Sequence, residues 1–477
     1  MKKNRRKLDM KKLIPLFLAI VLLMSSCLIG KKYHRPDMAA PENYIFRDTL
    51  VAVVDTASRY INSDSTVNLQ WFQLFGDTVL NDMIALALDS NFNIKTAAKR
   101  VQQSRAVFQD TKASLLPSFG YSAQAEMNNP GNDEDFIFGT ASWELDFWGK
   151  LRHAKRAAYA EMLATEEGLK AVKTAIVCDV ANLYFQMRDL DNRIEVAKQT
   201  VESRTIYYNM VNERFIRGEV AELDKLQSEQ QLAMAEASLA GFYRELYFTE
   251  GSLNILLGQN PQAINRGLQN EDQVILPEIP AGLPSKLLDQ RPDVRAAEDI
   301  LIAETERIGV TQAMRLPSFS LTGFLGVASG DITTLLSSDA FAGGLTGMIM
   351  GPIFEFGKNK RRVDIQRAEA EIAVNNFMNM YRIALGDVEN ALISIRIYRE
   401  EHAARVRQVN AARKALMLTK AKYDEGYSSY LEVLVAESYA FDAEQMLSIT
   451  RAQQLSATVA LYRALGGGWQ TVETPSE

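Results

Sequence analysis

Few side chains here are suited to chemistry. The chain has two cysteines, Cys27 and Cys178, and three histidines, His34, His153 and His402. A metal centre needs such ligands at short, patterned spacings, and these five are scattered, so no metal site is expected. A nucleophile needs a base and an orienting group, and the sequence shows no nucleophile elbow, phosphate-cradling glycine loop or paired-histidine helix motif. Gly466-Gly467-Gly468 precedes Trp469 at the end of a helical pattern and reads as a terminating turn. No catalytic residue, no cofactor and no enzymatic activity are expected.

The two cysteines differ in setting. Cys178 lies inside a helical apolar pattern and reads as a small buried hydrophobe. Cys27 follows seven Lys/Arg in the first 12 residues, an apolar run from Leu13 to Met24, and Ser25-Ser26. A basic start, a short apolar core and small residues before a cut make a secretory signal, residues 1–26, too short to span a bilayer as a helix. Met24-Ser25-Ser26-Cys27 resembles a bacterial lipobox, with Met24 in place of the usual leucine. The resemblance implies cleavage before Cys27 and lipidation of its thiol by acyl chains such as palmitate.

The composition is 47% hydrophobic and 23% charged, with a net charge of −6. A nucleic-acid partner would require a basic face, so none is expected. Beyond the leader no run of 18 apolar residues occurs, which leaves a β-barrel as the route across a membrane.

The chain says one thing twice. Leu116-Pro117-Ser118-Phe119 returns as Leu316-Pro317-Ser318-Phe319 at an offset of 200, and Gly149-Lys150 returns as Gly357-Lys358 at an offset of 208. Gly218 matches Gly426, and Leu257-Gly258 matches Leu465-Gly466 at the same 208. The unit is too long for a solenoid repeat and reads as a tandem duplication.

Each unit has the same elements. Residues 78–115 read as one helix and 150–215 as a very long one. The seam Ile176, Val180, Leu183, Met187, Leu190, Ile194, Ala197, Val201 steps by four and three, the period of a left-handed coiled coil. Gly218 and Gly426 end the long helices, as glycine does where the chain enters a left-handed turn, and helices return over 221–257 and 430–465. Strands are expected at 118–128 and 136–147, and at 318–329 and 340–353. In the second, Ile137, Gly139, Ala141, Trp143 and Leu145 alternate with Phe136, Phe138, Thr140, Ser142 and Glu144. Strands of about ten residues suit a tilted membrane strand. Four strands cannot close a barrel, and open edges in lipid leave unpaired backbone groups, so several chains must share one barrel.

This organisation resembles the TolC-like outer membrane factor family, in its lipoprotein branch serving tripartite (RND-type) efflux systems. The phrases that carry it are "WFQLFGDTVLNDMIALALDSNFNI" at 71–94, "GKKYHRPD" after Cys27, and "LPSKLLDQRPDVRAAE" at 283–298 with Arg291-Pro292-Asp293 intact. The resemblance implies a mainly α fold with a small membrane β-barrel portion. Three copies would form a 12-stranded barrel and a periplasmic α-helical coiled-coil tunnel. The chain then divides into signal peptide (1–26), lipidated extension (27–77), repeat 1 (78–258, strands 118–147, tip near Gly218), equatorial linker (259–283), repeat 2 (284–466, strands 318–353, tip near Gly426) and tail (467–477). Implied partners are two further copies, a periplasmic adaptor, an inner-membrane efflux transporter and outer membrane lipid.

The implied function is an exit duct in the cell outer membrane, passing drugs and toxic compounds outward when engaged by its partners. By resemblance the gate lies at the tips, with Leu431 in an apolar ring and Glu432 and its counterpart Asp224 at acidic positions. Acids also suit a helix N-terminus on dipole grounds. Members often carry an aspartate and an arginine where this chain has Val435 and Ser438, which favours an apolar gate. Two alternatives stand beside this reading: the outer membrane channel of a type I protein secretion system, and a lipid-anchored periplasmic coiled-coil scaffold.

Overall fold

The computed structural model describes residues 29–30, 33–36, 71–125, 135–273, 289–330 and 332–467. The signal peptide, Cys27, the turn after residue 128 and the tail beyond Gly467 lie outside the described residues. Seven helices of 13 residues or more are described: α1 (Thr78–Ser90), α2 (Phe92–Ala113), α3 (Lys150–Ile216), α4 (Glu222–Leu256), α5 (Pro292–Ala313), α6 (Lys358–Asp424) and α7 (Tyr430–Ala464). Four strands accompany them: β1 (Ser118–Gln124), β2 (Asp135–Leu145), β3 (Ser318–Ser329) and β4 (Phe341–Met350).

The duplication is kept to the residue in the hairpins. Helices α3 and α6 are each 67 residues long. Helices α4 and α7 are each 35. No helix among the described residues is long and apolar enough to cross a membrane.

The strand expected over 340–353 is shorter, Phe341–Met350, because Gly351-Pro352 ends it, and one expected helix differs in kind. The helix read over 78–115 is two helices, broken at Asn91, which has extended backbone (φ −62°, ψ 128°). Its amide N–H still closes α1 on Ala87, while its side-chain oxygen accepts from the amides of Asn93 (2.8 Å) and Ile94 (3.2 Å) and so starts α2. Its Nδ2 donates to the Leu256 carbonyl at the end of α4 (2.8 Å). The side chain that divides the first helix therefore also caps another, satisfying groups that a helix end leaves orphaned.

The chain forms two compact units, and each draws on both repeats. One contains residues 99–167 and 295–379 with the short segment up to Met38; the other contains 39–98, 168–294 and 380–477. The second holds the main apolar core, in which Phe75, Leu80, Ile84, Val177, Val180, Phe185, Met187 and Leu253 are buried. The coiled-coil seam enters this core: Ile176, Val180, Met187, Leu190, Ile194 and Ala197 are all buried. So is Cys178, whose thiol burial pushes up to about 12, leaving it un-ionised and inert.

Asp77 organises the start of α1 from inside this core. One carboxylate oxygen caps the amides of Val79 (3.0 Å) and Leu80 (3.3 Å). The other accepts from the Tyr184 hydroxyl (2.5 Å), the Leu268 amide (2.9 Å) and Gln273 (2.7 Å). Gly267 is required beside it, because a Cβ there would lie 2.2 Å from an Asp77 oxygen.

The first unit contains one antiparallel sheet in the order β1-β2-β3-β4. The pairing of β2 with β3, from Asp135↔Ser329 to Leu145↔Phe319, joins the two repeats.

Candidate functional site

No cluster of His, Cys, Asp and Glu able to hold a metal ion occurs among the described residues. The features that bear on function are a sheet, two hairpin ends and one buried arginine.

The sheet is two-faced. Residues directly opposite across an antiparallel pair share a face, so the registers sort the side chains. One face carries Phe119, Tyr121, Ile137, Trp143, Leu325, Val327, Phe341, Leu345 and Ile349, with glycines and alanines between them. The other carries Ser118, Ser122, Thr140, Ser142, Glu144, Ser320, Thr322 and Thr346, interrupted by Met348 and Met350 on β4 and by an aromatic group in which Phe138 stacks on Phe136 (4.9 Å) and meets Phe324 edge-on (5.0 Å). The apolar face is uncovered within one chain: Phe119, Tyr121 and Leu345 are more than 70% exposed. Among the described residues, both outer strands have a free edge in the four-stranded order.

The hairpin ends are built alike. Gly218 (φ 74°) and Gly426 (φ 78°) take left-handed conformations that L-residues adopt with strain. The amide of Gly218 closes on Phe215 and that of Glu219 on Arg214, both at 2.9 Å. Gly426 and Tyr427 repeat this on Tyr423 (2.9 Å) and Lys422 (2.8 Å), so both long helices end in a Schellman motif. Asp224 and Glu432 each occupy the third position of a returning helix. Asp224 accepts from the Ala221 amide (3.3 Å), and Glu432 from the Ser429 amide (3.4 Å) and hydroxyl (3.2 Å). Both acids therefore cap helix starts, where the dipole also favours them. Leu431 is exposed beside Glu432, and Val435 is exposed one turn later.

A polar and aromatic group that the sequence did not signal joins the first hairpin to the second. Ser203 of α3 donates to Glu437 of α7 (2.8 Å), with Arg204 (3.7 Å) and Lys420 (3.4 Å) completing the charges around that carboxylate. Tyr207 stacks on Tyr430 at 4.1 Å, and Arg214 donates to the Tyr423 hydroxyl (3.2 Å). Burial and the neighbouring Tyr423 hold the Tyr207 phenol above its ordinary value. The contacts between the hairpins join residues 209 to 234 positions apart, and the 208-residue offset does not relate the partners to one another.

Arg291-Pro292-Asp293 forms a helix start and a helix cap together. Pro292 is the first residue of α5, where its missing N–H costs nothing. The guanidinium of Arg291 is buried, grips both oxygens of Asp293 (3.0 and 2.7 Å), reaches Asp387 (3.0 Å), and donates to the Ala464 carbonyl at the end of α7 (3.1 Å). Burial opposes ionisation of Asp293, but the Arg291 guanidinium outweighs it and holds the carboxyl below the usual carboxylate range. Under the same offsets Arg291 corresponds to Asn91, and Ala464 to Leu256. The two repeats thus solve one problem, capping the end of the returning helix, with different donors.

Comparison with known proteins adds to this geometry. The profile of the outer membrane efflux protein family matches residues 83–259 and 283–467. The cation efflux system protein CusC of Escherichia coli O6:H1 is 30% identical over 466 residues, covering 96% of this chain and 99% of that one. The solvent efflux pump outer membrane protein SrpC of Pseudomonas putida is 30% identical over 411 residues, covering 83% of this chain and 87% of that one. Among solved structures, the outer-membrane channel OprN aligns with a TM-score of 0.84 at 27% identity, over 93% of this chain and 100% of that chain. The open state of the Neisseria gonorrhoeae MtrE outer membrane channel aligns with a TM-score of 0.83 at 26% identity, over 93% of this chain and 98% of that chain.

Proposed function

The chain belongs to the outer membrane efflux protein family, and from that premise we propose that three copies form a closed duct through which a tripartite pump passes small molecules out of the cell. The observation that carries the reading is the two-faced sheet with two free edges. An edge left open in hydrocarbon costs several kcal/mol for each unsatisfied backbone group. Pairing β4 of one copy with β1 of the next removes every edge, and three copies of four strands make a 12-stranded barrel, apolar outward and polar inward. The helices supply the periplasmic tunnel, and the chain acts by conducting rather than by catalysing.

Finer assignments rest on this reading. The turns at Gly218 and Gly426 are the surfaces offered to a periplasmic adaptor, which brings the inner-membrane transporter. Leu431 and Val435 form an apolar constriction, and Asp224 and Glu432 serve first as helix caps. Cys27 carries the lipid anchor. The cation and solvent efflux roles in the relatives' names belong to those proteins; for this chain the shared class is small toxic solutes.

The native mass of the protein extracted in detergent from isolated outer membranes tests the duct. A trimer is the expected result, and a monomer in a soluble fraction would leave the lipid-anchored scaffold in its place. The tips have a separate test. A Cβ at Gly218 or Gly426 meets nothing within 4 Å, so Gly218→Trp and Gly426→Trp add bulk at the tips away from the core, with local strain in each turn from the positive φ. Both should abolish drug export at normal protein level; unchanged export would remove the tip assignment.

A further inference from the structure

Inside one chain the two repeats meet along a defined line. Strand β2 pairs with β3, and the helices next to those strands touch: α3 follows β2, and α5 leads into β3. His153 of α3 reaches Glu306 of α5 (2.5 Å), and Arg307 of α5 reaches Glu161 of α3. A Cβ at Gly309 would lie 2.7 Å from the His153 ring, so the two helices approach closely there. The line that runs on from His153 by steps of four and three is small and covered: Ala157, Ala160 and Ala164 are all buried. At the end of the strands Leu145 lies opposite Phe319, and Trp148 donates to the Pro317 carbonyl (2.7 Å).

The duplication supplies the same line a second time, uncovered. The offset of 208 carries Leu145, Trp148, His153, Ala157, Glu161 and Ala164 onto Ile353, Phe356, Arg361, Ile365, Glu369 and Ile372. All six of the latter are exposed. Ala157 is 3% and Ala164 8% exposed, whereas Ile365 is 63% and Ile372 53% exposed. The opposite face of α6 is satisfied within the chain, with Val363, Ala370 and Phe377 buried. The other side of the contact is duplicated too. The offset of 200 carries Glu306, Arg307, Gly309 and Phe319 onto Ala106, Val107, Gln109 and Phe119, and all four are exposed. So each repeat-to-repeat surface has a copy with nothing against it, and the uncovered copy is the more apolar: isoleucine twice for alanine, valine for arginine. The charges also match. The His153 contacts set Arg361 level with Ala106 to Gln109, beside Asp110. Helix α6 leaves the sheet while α2 enters it, so Glu369 falls level with Ala98 to Val101, a stretch that contains Arg100. None of Arg100, Asp110, Arg361 and Glu369 forms an ion pair among the described residues.

We propose that the face running from Ile353 to Ile372 docks a second copy of this chain, which presents α2 and the start of β1: Ile365 and Ile372 cover the α2 face around Gln103 and Val107, Glu369 pairs with Arg100, Arg361 pairs with Asp110, and Ile353 lies opposite Phe119. The proposal rests on the shared-barrel reading and adds the helical seam and its register. If β4 joins β1 of the next copy, then α6, which follows β4, stands beside α2, which leads into β1, as α3 stands beside α5 within the chain. Exposed isoleucines on a helix whose other face is buried mark a surface that is covered in the assembly. The two sides of the seam are different surfaces, so the contact is heterologous and closes into a ring rather than a twofold pair.

The test is a cysteine pair in the full-length protein, Ile365→Cys with Gln103→Cys, treated in isolated membranes with a short bifunctional maleimide. Cross-linked dimer and trimer on a denaturing gel are the expected result. Either cysteine alone should give neither, because a heterologous contact does not bring a residue to its own copy. Charge reversal reads the register independently. Glu369→Arg or Arg100→Glu sets like charges at every seam, and releasing one subunit breaks two seams, so each should speed subunit dissociation in detergent by about tenfold. The combined Glu369→Arg/Arg100→Glu should return the rate to within about threefold of wild type. A combined variant no better than the single ones overturns the proposal. So does an unlinked cysteine pair in protein of trimeric native mass; the face then has another occupant, adaptor or lipid, and the duct stands. A monomeric native mass removes the duct itself and the seam with it. If the charge variants fail to accumulate, the cysteine pair alone decides.

Discussion

Arg291 shows how a recognisable motif conceals its purpose. Its type and neighbours stand out in the sequence, yet its partners Asp387 and Ala464 lie 96 and 173 positions away. Pattern alone cannot supply such pairings, because no local periodicity connects a loop residue to a distant carbonyl. We expect Arg291→Ala to destabilise the fold by about 2–3 kcal/mol. That is below the range for breaking a fully buried pair, because the carboxylates left behind stay accessible: Asp293 is 33% and Asp387 45% exposed. Arg291→Lys should recover only part, since one ammonium cannot reach Asp293, Asp387 and the Ala464 carbonyl together. The effect should depend on pH. Asp293 is held below its unfolded value, near 3.9. Its contribution is complete above that value and is lost as pH falls through the lower folded one. Chemical denaturation of both proteins at neutral pH and at about pH 3 should show the gap narrowing in acid. A gap that widens would place the stabilisation elsewhere.

At the scale of elements, the duplication makes each repeat a control on the other. Asn91 and Arg291 cap equivalent helix ends, and Asn91 also divides a helix. Asn91→Ala removes the donor to Leu256 and the acceptor for Asn93 and Ile94. The expected loss is about 1–2 kcal/mol, measured by denaturant unfolding in detergent. Asn91→Asp keeps the acceptor and loses only the donor, so it should fall between; an Ala variant as stable as the wild type would mean the break comes from the Gly258 side. That side is crowded, since a Cβ at Gly258 would lie 2.6 Å from the Ser90 carbonyl. The break was hidden in the sequence because Ser90-Asn91 sits in a run of otherwise helical residues with no proline or glycine. What could be read were the hairpins and strands. Gly218 and Gly426 mark their ends by conformation, and the seam from Ile176 to Ala197 marks its face by period, both local properties. The Ser203–Glu437 contact was not legible, because it depends on how two hairpins pack.

For the whole molecule, the decisive feature is that neighbouring residues on one strand face different solvents. Leu345 and Thr346 are adjacent on β4, yet Leu345 lies opposite Gly323 on the apolar face and Thr346 opposite Thr322 on the polar face. If the sheet is one third of a barrel, one side of this pair meets hydrocarbon and the other the aqueous bore. Leu345→Arg then sets a charge against lipid, at a cost of about 2–4 kcal/mol near the midplane. In a trimer the cost arises three times over, enough to deplete folded protein in the outer membrane. Thr346→Arg sets the same charge in water, three times around the bore. It should leave folded abundance within about 0.5 kcal/mol of wild type, as for an ordinary surface change, and should lower the conductance of cations relative to anions in planar bilayers. A scaffold standing in the periplasm predicts something else: both faces wet, both arginines tolerated, and no conductance to change. The two substitutions differ by one position and by nothing in chemistry. An opposite outcome at the two sites therefore requires a two-faced sheet in a membrane, and equal outcomes would rule it out.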